Sequence, residues 1–211
     1  MLIKKAIKLE YFTLGYNLFE GGITFVLGLL AGSIALTGFS FDAGMEFIAA
    51  MVLLWRLKSY SPEHDCVDEH EEKANERALK IVGVTFILLA SYVLISAVMK
   101  LVTLSKPNPE PLGVLIAAFS LCVMPTVAIL KKHIAKQVTC QTLSRALAAE
   151  AKETFVCSVL SFLLLIGLSA HILYGLWWFD PIAAIGISIF LAREGLEQIG
   201  FNQENGHHHE K

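Results

Sequence analysis

Apolar residues run in six stretches, roughly 11 to 31, 34 to 56, 78 to 101, 111 to 131, 146 to 170 and 177 to 195. Each meets or approaches the ~20 residues that an α-helix needs to cross ~30 Å of hydrocarbon. No other feature restricts the fold as much. Lipid offers no hydrogen bonds, so every backbone N–H and C=O in such a stretch must be satisfied within its own helix. With 55% hydrophobic residues and a mean hydropathy of +0.60, the chain is too apolar for an ordinary water-soluble domain. The predicted fold class is an all-α integral membrane protein with six transmembrane helices. A single domain is expected over residues 1–197, followed by a short tail over 198–211.

Turn-forming residues separate the stretches: Gly32-Ser33, Lys106-Pro107-Asn108-Pro109 and Asp180-Pro181. Asp180-Pro181 is a good helix N-terminus, with Asp180 at or near the cap. The net charge of −2 says little, because the information lies in where the basic residues fall. If both termini are cytoplasmic, fifteen of the 17 Lys and Arg lie inside, Lys131 among them in the loop after helix four. Only Lys100 and Lys106 lie outside, so the positive-inside rule sets the orientation. The expected location is multi-pass, in a bacterial inner membrane. Lys4, Lys5 and Lys8 form a basic flank without a small-residue cleavage site, so the first span is expected to be retained. The cysteines Cys66, Cys122, Cys140 and Cys157 fall in segments assigned to membrane or cytoplasm, where no disulfide is expected. No Lys/Arg-rich stripe suggests nucleic acid.

Acids inside the apolar stretches carry the functional signal. Asp42 and Glu46 are one helical turn apart on one face of helix two. A charge in hydrocarbon costs at least ~2.5 kcal/mol, so two in one segment require a partner. A metal ion or protons would supply it; the plainer reading is acids protonated or paired with polar groups between helices. In helix one, Asn17 and Glu20 share a face, and Gly28-x-x-x-Gly32 has the spacing of a small-residue packing surface. In helix five, Glu150, Glu153 and Cys157 fall on one face, and carboxylates with a thiolate are competent ligands for first-row metals. Alone, Cys157 would read as a small core residue.

Helices three and four, almost free of ionisable residues, read as wall. The loop after helix two holds His64, Asp65, Cys66, Asp68, His70, Glu71 and Glu72, and the tail holds His207, His208 and His209. His64, Cys66, His70 and the tail histidines are candidates for weak peripheral metal capture. A solvated acidic loop and a solvated or appended tail have the same composition.

Helices two and five also echo each other. Ser33-x-Ala35-Leu36 precedes Asp42 and Glu46 in the register in which Ser144-x-Ala146-Leu147 precedes Glu153 and Cys157. In the six-span topology the two helices run in opposite directions, and paired polar sites on oppositely directed segments are what inverted-repeat transporters use.

At these residues the chain resembles the cation diffusion facilitator, or cation efflux, family. "GSIAL" before Asp42 and Glu46 matches the start of that family's second helix. "SRALAAEAKETFVC" corresponds to its fifth helix, and "WWFDPIAA" followed by "REGLE" corresponds to its sixth. Acids replace the usual site histidines, as in a small subgroup of the family. The resemblance implies a secondary transporter that exports a divalent metal cation by proton antiport. Asp42, Glu46, Glu153 and Cys157 would be the metal ligands, with Asn17, Glu20 and Glu150 as outer groups or a proton path. Without histidine the metal stays open: zinc leads, with manganese, iron, cobalt and cadmium as alternatives. The resemblance also implies a homodimer, and the expectation is that the family's cytosolic metal-binding domain is absent. The alternative is a transport-inactive membrane protein of the same fold that senses metal or regulates a partner. No nucleophile and base have a recognised spacing, so no enzymatic activity is expected.

Overall fold

The computed structural model describes residues 2–59, 69–108 and 110–206. It comprises α1 (Leu2–Ala31), α2 (Ile34–Ser59), α3 (Glu69–Thr103), α4 (Pro111–Ala135), α5 (Gln141–Tyr174) and α6 (Phe179–Gly206). Five of the helices, α1 to α5, carry segments long and apolar enough to span a bilayer. In α6 the uncharged stretch between Asp180 and Arg193 is short, so its place rests on its neighbours as much as on its own apolarity. It packs most extensively on α3, and also beside α5 and α2.

The helices extend past the apolar stretches. α1 starts at Leu2 rather than 11, α5 at Gln141 rather than 146, and α6 continues to Gly206 rather than 195. Exposed Lys4, Lys5 and Lys8 ride on the first turns of α1. Their long stems can lie along apolar surface while the ammonium groups reach water.

Contacts between helix ends show an up-and-down bundle. At one end, Asn108 N donates to Ala31 O at 2.8 Å, joining the α3–α4 turn to the α1–α2 turn. Asp180, in the first turn of α6, meets Ser33 and Ile34 at the start of α2. At the opposite end, Lys152 of α5 pairs with Glu197 of α6 at 2.6 Å.

Asp180 lies in the first turn of α6, as expected, and its side chain also serves a second helix. Asp180 caps α2 across the bundle: its carboxylate accepts a short hydrogen bond from Ser33 Oγ and another from Ile34 N at 3.2 Å. Ser33 in turn accepts from Leu36 N at 3.1 Å, the side-chain bond of an N-cap residue. Two motifs 147 residues apart thus satisfy one helix terminus.

Glycine allows the closest helix approach. A Cβ on Gly28 would lie 2.8 Å from Thr37 N, so only hydrogen lets α1 come so near α2. Gly32, its partner in the small-residue spacing, serves differently: its φ of +62° turns the chain into α2.

Two apolar clusters divide the interior. The larger includes Leu36 and Phe39 of α2, Val93 of α3, Leu160 and Leu164 of α5, and Ile187 of α6. The smaller, towards the end where the termini lie, joins Ala6, Leu53, Leu57, Ile134, Leu143 and Leu147. Along α1, α2, α4 and α5, the buried side chains Glu10, Glu46, Lys131 and Glu150 fall between residues of the two clusters.

Candidate functional site

The first wall of this polar layer is α1. Its buried positions include Glu10, Thr13, Asn17, Glu20 and Thr24, which recur every three or four residues and form one stripe. Tyr11, Phe12, Leu18, Phe19 and Leu29 occupy the outward faces. That pattern is the reverse of a water-soluble amphipathic helix and suits a helix with lipid outside and polar partners inside. Thr13 and Thr24 satisfy their hydroxyls on the carbonyls of Leu9 and Glu20, at 3.1 and 2.7 Å. Glu20 accepts from Tyr16 Oη at 3.0 Å and has Ser120 of α4 beside it.

The second helix supplies Asp42 and Glu46, and α5 supplies Glu153 and Cys157. These four are brought to one region. Cys157 is buried beside both Asp42 and Glu46, and Glu20 lies near enough to interact with the same group. Glu153 faces Glu46, Glu150 and, from α6, Glu194. Thr154 stands next to Glu46. Glu46 is only 6% exposed, and among the described residues neither of its carboxylate oxygens has a hydrogen-bond partner. Asp42 Oδ2 is buried and unpartnered in the same sense. Among the described residues, however, no three His, Cys, Asp or Glu side chains converge closely enough to hold a metal ion as they stand.

The remaining candidates separate. Asn17 is buried on the α1 stripe, and both atoms of its amide lack partners among the described residues. Glu150 belongs to a different group: with Glu10 it flanks Lys131, whose Nζ lies 3.0 Å from Glu150 Oε1 and 3.1 Å from Glu10 Oε2. His64, Cys66, His207, His208 and His209 lie outside the described residues. His70 falls in the first turn of α3. Cys122, Cys140 and Cys157 are free thiols.

Lys131 corrects two expectations. Counted above as a loop residue, it is wholly buried within α4, which continues to Ala135. Nor is α4 only wall, because it carries Lys131 into the interior; its Ser120 makes an interhelical hydrogen bond, accepting from Ser161 Oγ at 3.0 Å. Sequence reading also passed over Glu10, Tyr16, Thr154 and Glu194. Glu10 was available from the period of polar residues in α1. Lys131 gave no such signal, since it adjoins Lys132 at the edge of an apolar stretch.

A helical bundle that encloses buried acids and a thiol between apolar layers has the interior of a membrane protein that handles cations. The comparison with known families agrees: residues 13–199 match the cation efflux transmembrane domain, and the chain belongs to that family. It is similar to the magnetosome protein MamB of Paramagnetospirillum magneticum strain AMB-1, at 30% identity over 87% of this chain and 60% of the relative. The MamB proteins of Magnetospira sp. strain QH-2 and Magnetospirillum gryphiswaldense are 25% and 29% identical, over 89% and 87% of this chain. They are covered over 61% and 59% of their own length, so the chain spans about three fifths of these relatives.

Proposed function

We propose that this chain carries a divalent metal cation out of the cytoplasm in exchange for protons, using Asp42, Glu46, Glu153 and Cys157 as its ligands. The observation that carries the reading is Glu46: a carboxylate buried in a membrane bundle, with no hydrogen bond to either oxygen among the described residues, and facing a thiol. A carboxylate in that position requires a proton or a cation. The same groups can hold either, so metal arrival releases protons and protonation releases metal. That exchange is the chemical basis of antiport.

Because the four ligands do not converge in this conformation, α2 and α5 must shift against each other to close around the ion. Rocking of packed helices about a fixed site also alternates its access between the two sides. The carboxylates favour harder ions such as manganese, and the thiolate favours zinc and its neighbours. Zinc leads because Cys157 lies directly against the Asp42–Glu46 pair. Glu20 and Asn17 form the route for protons. The bacterial sources of the relatives favour a bacterial cytoplasmic membrane, and the family favours a homodimer. No covalent chemistry is assigned to the site.

The test is flux in proteoliposomes loaded with a metal-sensitive dye, under an imposed pH gradient. Movement of at least one of zinc, cobalt, manganese or ferrous iron is expected. Failure of all four to move would reject the transport reading.

A further inference from the structure

Between α1 and α4, on the outside of the bundle, runs a groove that the four-ligand site does not use. It encloses about 440 Å³ and is lined by Leu9 and Phe12 of α1 and by Cys122, Thr126, Val127 and Leu130 of α4. Phe12 and Leu130 are about half exposed, at 52% and 47%, so the groove opens towards lipid. The Thr126 hydroxyl is spent within its own helix, on Cys122 O at 3.0 Å, and the lining therefore presents hydrocarbon and a single thiol. A polar solute finds no partner there, whereas an alkyl chain gains close packing. From Cys122 to Leu130 the groove follows α4 for ~12 Å, at ~1.5 Å per residue. That is most of the ~15 Å that one leaflet contributes to the hydrocarbon core.

The Leu130 end is ringed by positive charge. Glu10 and Lys131, 3.1 Å apart, set α1 and α4 level with each other there. Beside them and towards the ends of the helices lie Lys5, Lys8, Lys132 and Lys136, all exposed. Lys5 stands four residues before Leu9, and Lys8 four before Phe12, so this pair continues the face of α1 that lines the groove. Among the described residues of these two helices no acid is exposed: Glu10 and Glu20 are buried, and α4 has none.

We infer that the groove is the seat of one anionic phospholipid, drawn from the leaflet on the side of the N-terminus, with an acyl chain along Leu9, Thr126 and Leu130 and its phosphate between Lys5 and Lys8. Each ammonium near the membrane surface favours an anionic headgroup by about fivefold in affinity. A zwitterionic headgroup brings its own ammonium and loses that gain. A second copy of this chain fits the groove less well, because a symmetric pair would set two Lys5–Lys8 pairs face to face. The lipid also has a mechanical role. α1 packs mainly on α2, and α4 mainly on α5, so the α1–α4 seam joins two helix pairs. Glu10 and Lys131 close that seam from inside, and the lipid clasps it from outside. The inference concerns the outer face of the bundle and does not depend on metal transport.

Native mass spectrometry of the full chain in a neutral detergent, offered phosphatidylglycerol and phosphatidylcholine in equal amounts, tests it. One phosphatidylglycerol per chain is expected to be retained, with at least about fivefold preference over phosphatidylcholine. Lys5→Gln combined with Lys8→Gln is expected to remove the preference, while Lys106→Gln, at the opposite end of the bundle, leaves it unchanged. Thr126→Trp fills the groove from an exposed position and is expected to lower retention of both lipids. Equal retention of the two lipids by the unaltered chain overturns the proposal, and so does a preference that survives the double lysine variant. Loss of a dimer in Thr126→Trp with lipid retention unchanged would place a second copy in the groove and overturn it as well. Should Thr126→Trp not fold, the lysine variants decide alone.

Discussion

A carboxylate surrounded by helices and lipid is stable only if something answers its charge, and at the residue scale that requirement organises the interior. Glu20 has the Tyr16 hydroxyl, Glu10 and Glu150 have Lys131, and Asp180 has Ser33 and the backbone of Ile34. Glu46 has no such hydrogen bond among the described residues, which is why it is the centre of the proposed site. Asp42→Ala and Glu153→Ala are each expected to weaken metal binding at least tenfold, about 1.4 kcal/mol, while the protein still inserts in the membrane. Calorimetry on the purified variants checks this, and unchanged affinity in both would remove these residues from the site. Cys157→Ser exchanges a soft donor for a hard one. It is expected to cost zinc about tenfold in affinity and manganese much less; equal losses for the two metals would show that the thiol is not a ligand.

At the scale of elements, the helices pair as α1 with α2, α3 with α6 and α4 with α5, and different contacts hold the pairs together. Between α1 and α2 the contact is steric. Gly28→Val would force a side chain against the backbone of Thr37 and is expected to destabilise the fold by about 1–3 kcal/mol, seen as a lower unfolding temperature in detergent. Between α2 and α6 the contact is polar. Asp180→Ala leaves Ser33 and Ile34 N without their acceptor, a loss of about 1–3 kcal/mol by the same assay. Between α5 and α6 lies an exposed network in which Glu197 bonds Lys152 at 2.6 Å and Arg193 at 3.1 Å. The Lys152 ammonium holds the Glu197 carboxyl below its usual range. Solvent screens such pairs, so Lys152→Ala should change stability by less than about 1 kcal/mol.

For the molecule as a whole, a site made of acids and a thiol must be pH-dependent. Those groups hold protons when they do not hold metal, so binding is expected to release protons and to weaken as pH falls. Titrations in buffers of different ionisation enthalpy give the number released, and zero release would exclude antiport at this site. The orientation proposed from the basic residues has its own check. A cysteine placed at Lys106 should react with an impermeant thiol reagent from the outer face, above the background of native thiols, and one placed at Lys4 should not; the reverse pattern inverts the topology.

Much of this was legible in the chain, and the division follows a physical line. Span lengths, turns and shared helix faces depend on residues within a few positions of each other. So the six helices, the i, i+4 pair Asp42–Glu46 and the row Glu150–Glu153–Cys157 could be read directly. Fewer of the partners could be. That Asp180 also caps α2, and that Cys157 lies against Asp42, follow from helices packing across large sequence separations. The clearest case is Lys131, which by local composition is one of two adjacent lysines at a helix end. Only the approach of α1 and α5 brings Glu10 and Glu150 to it, turning a surface charge into a buried one. Periodicity determines which side of a helix a residue occupies; what stands opposite is settled by packing, and in a membrane interior that decides whether a charge is tolerated.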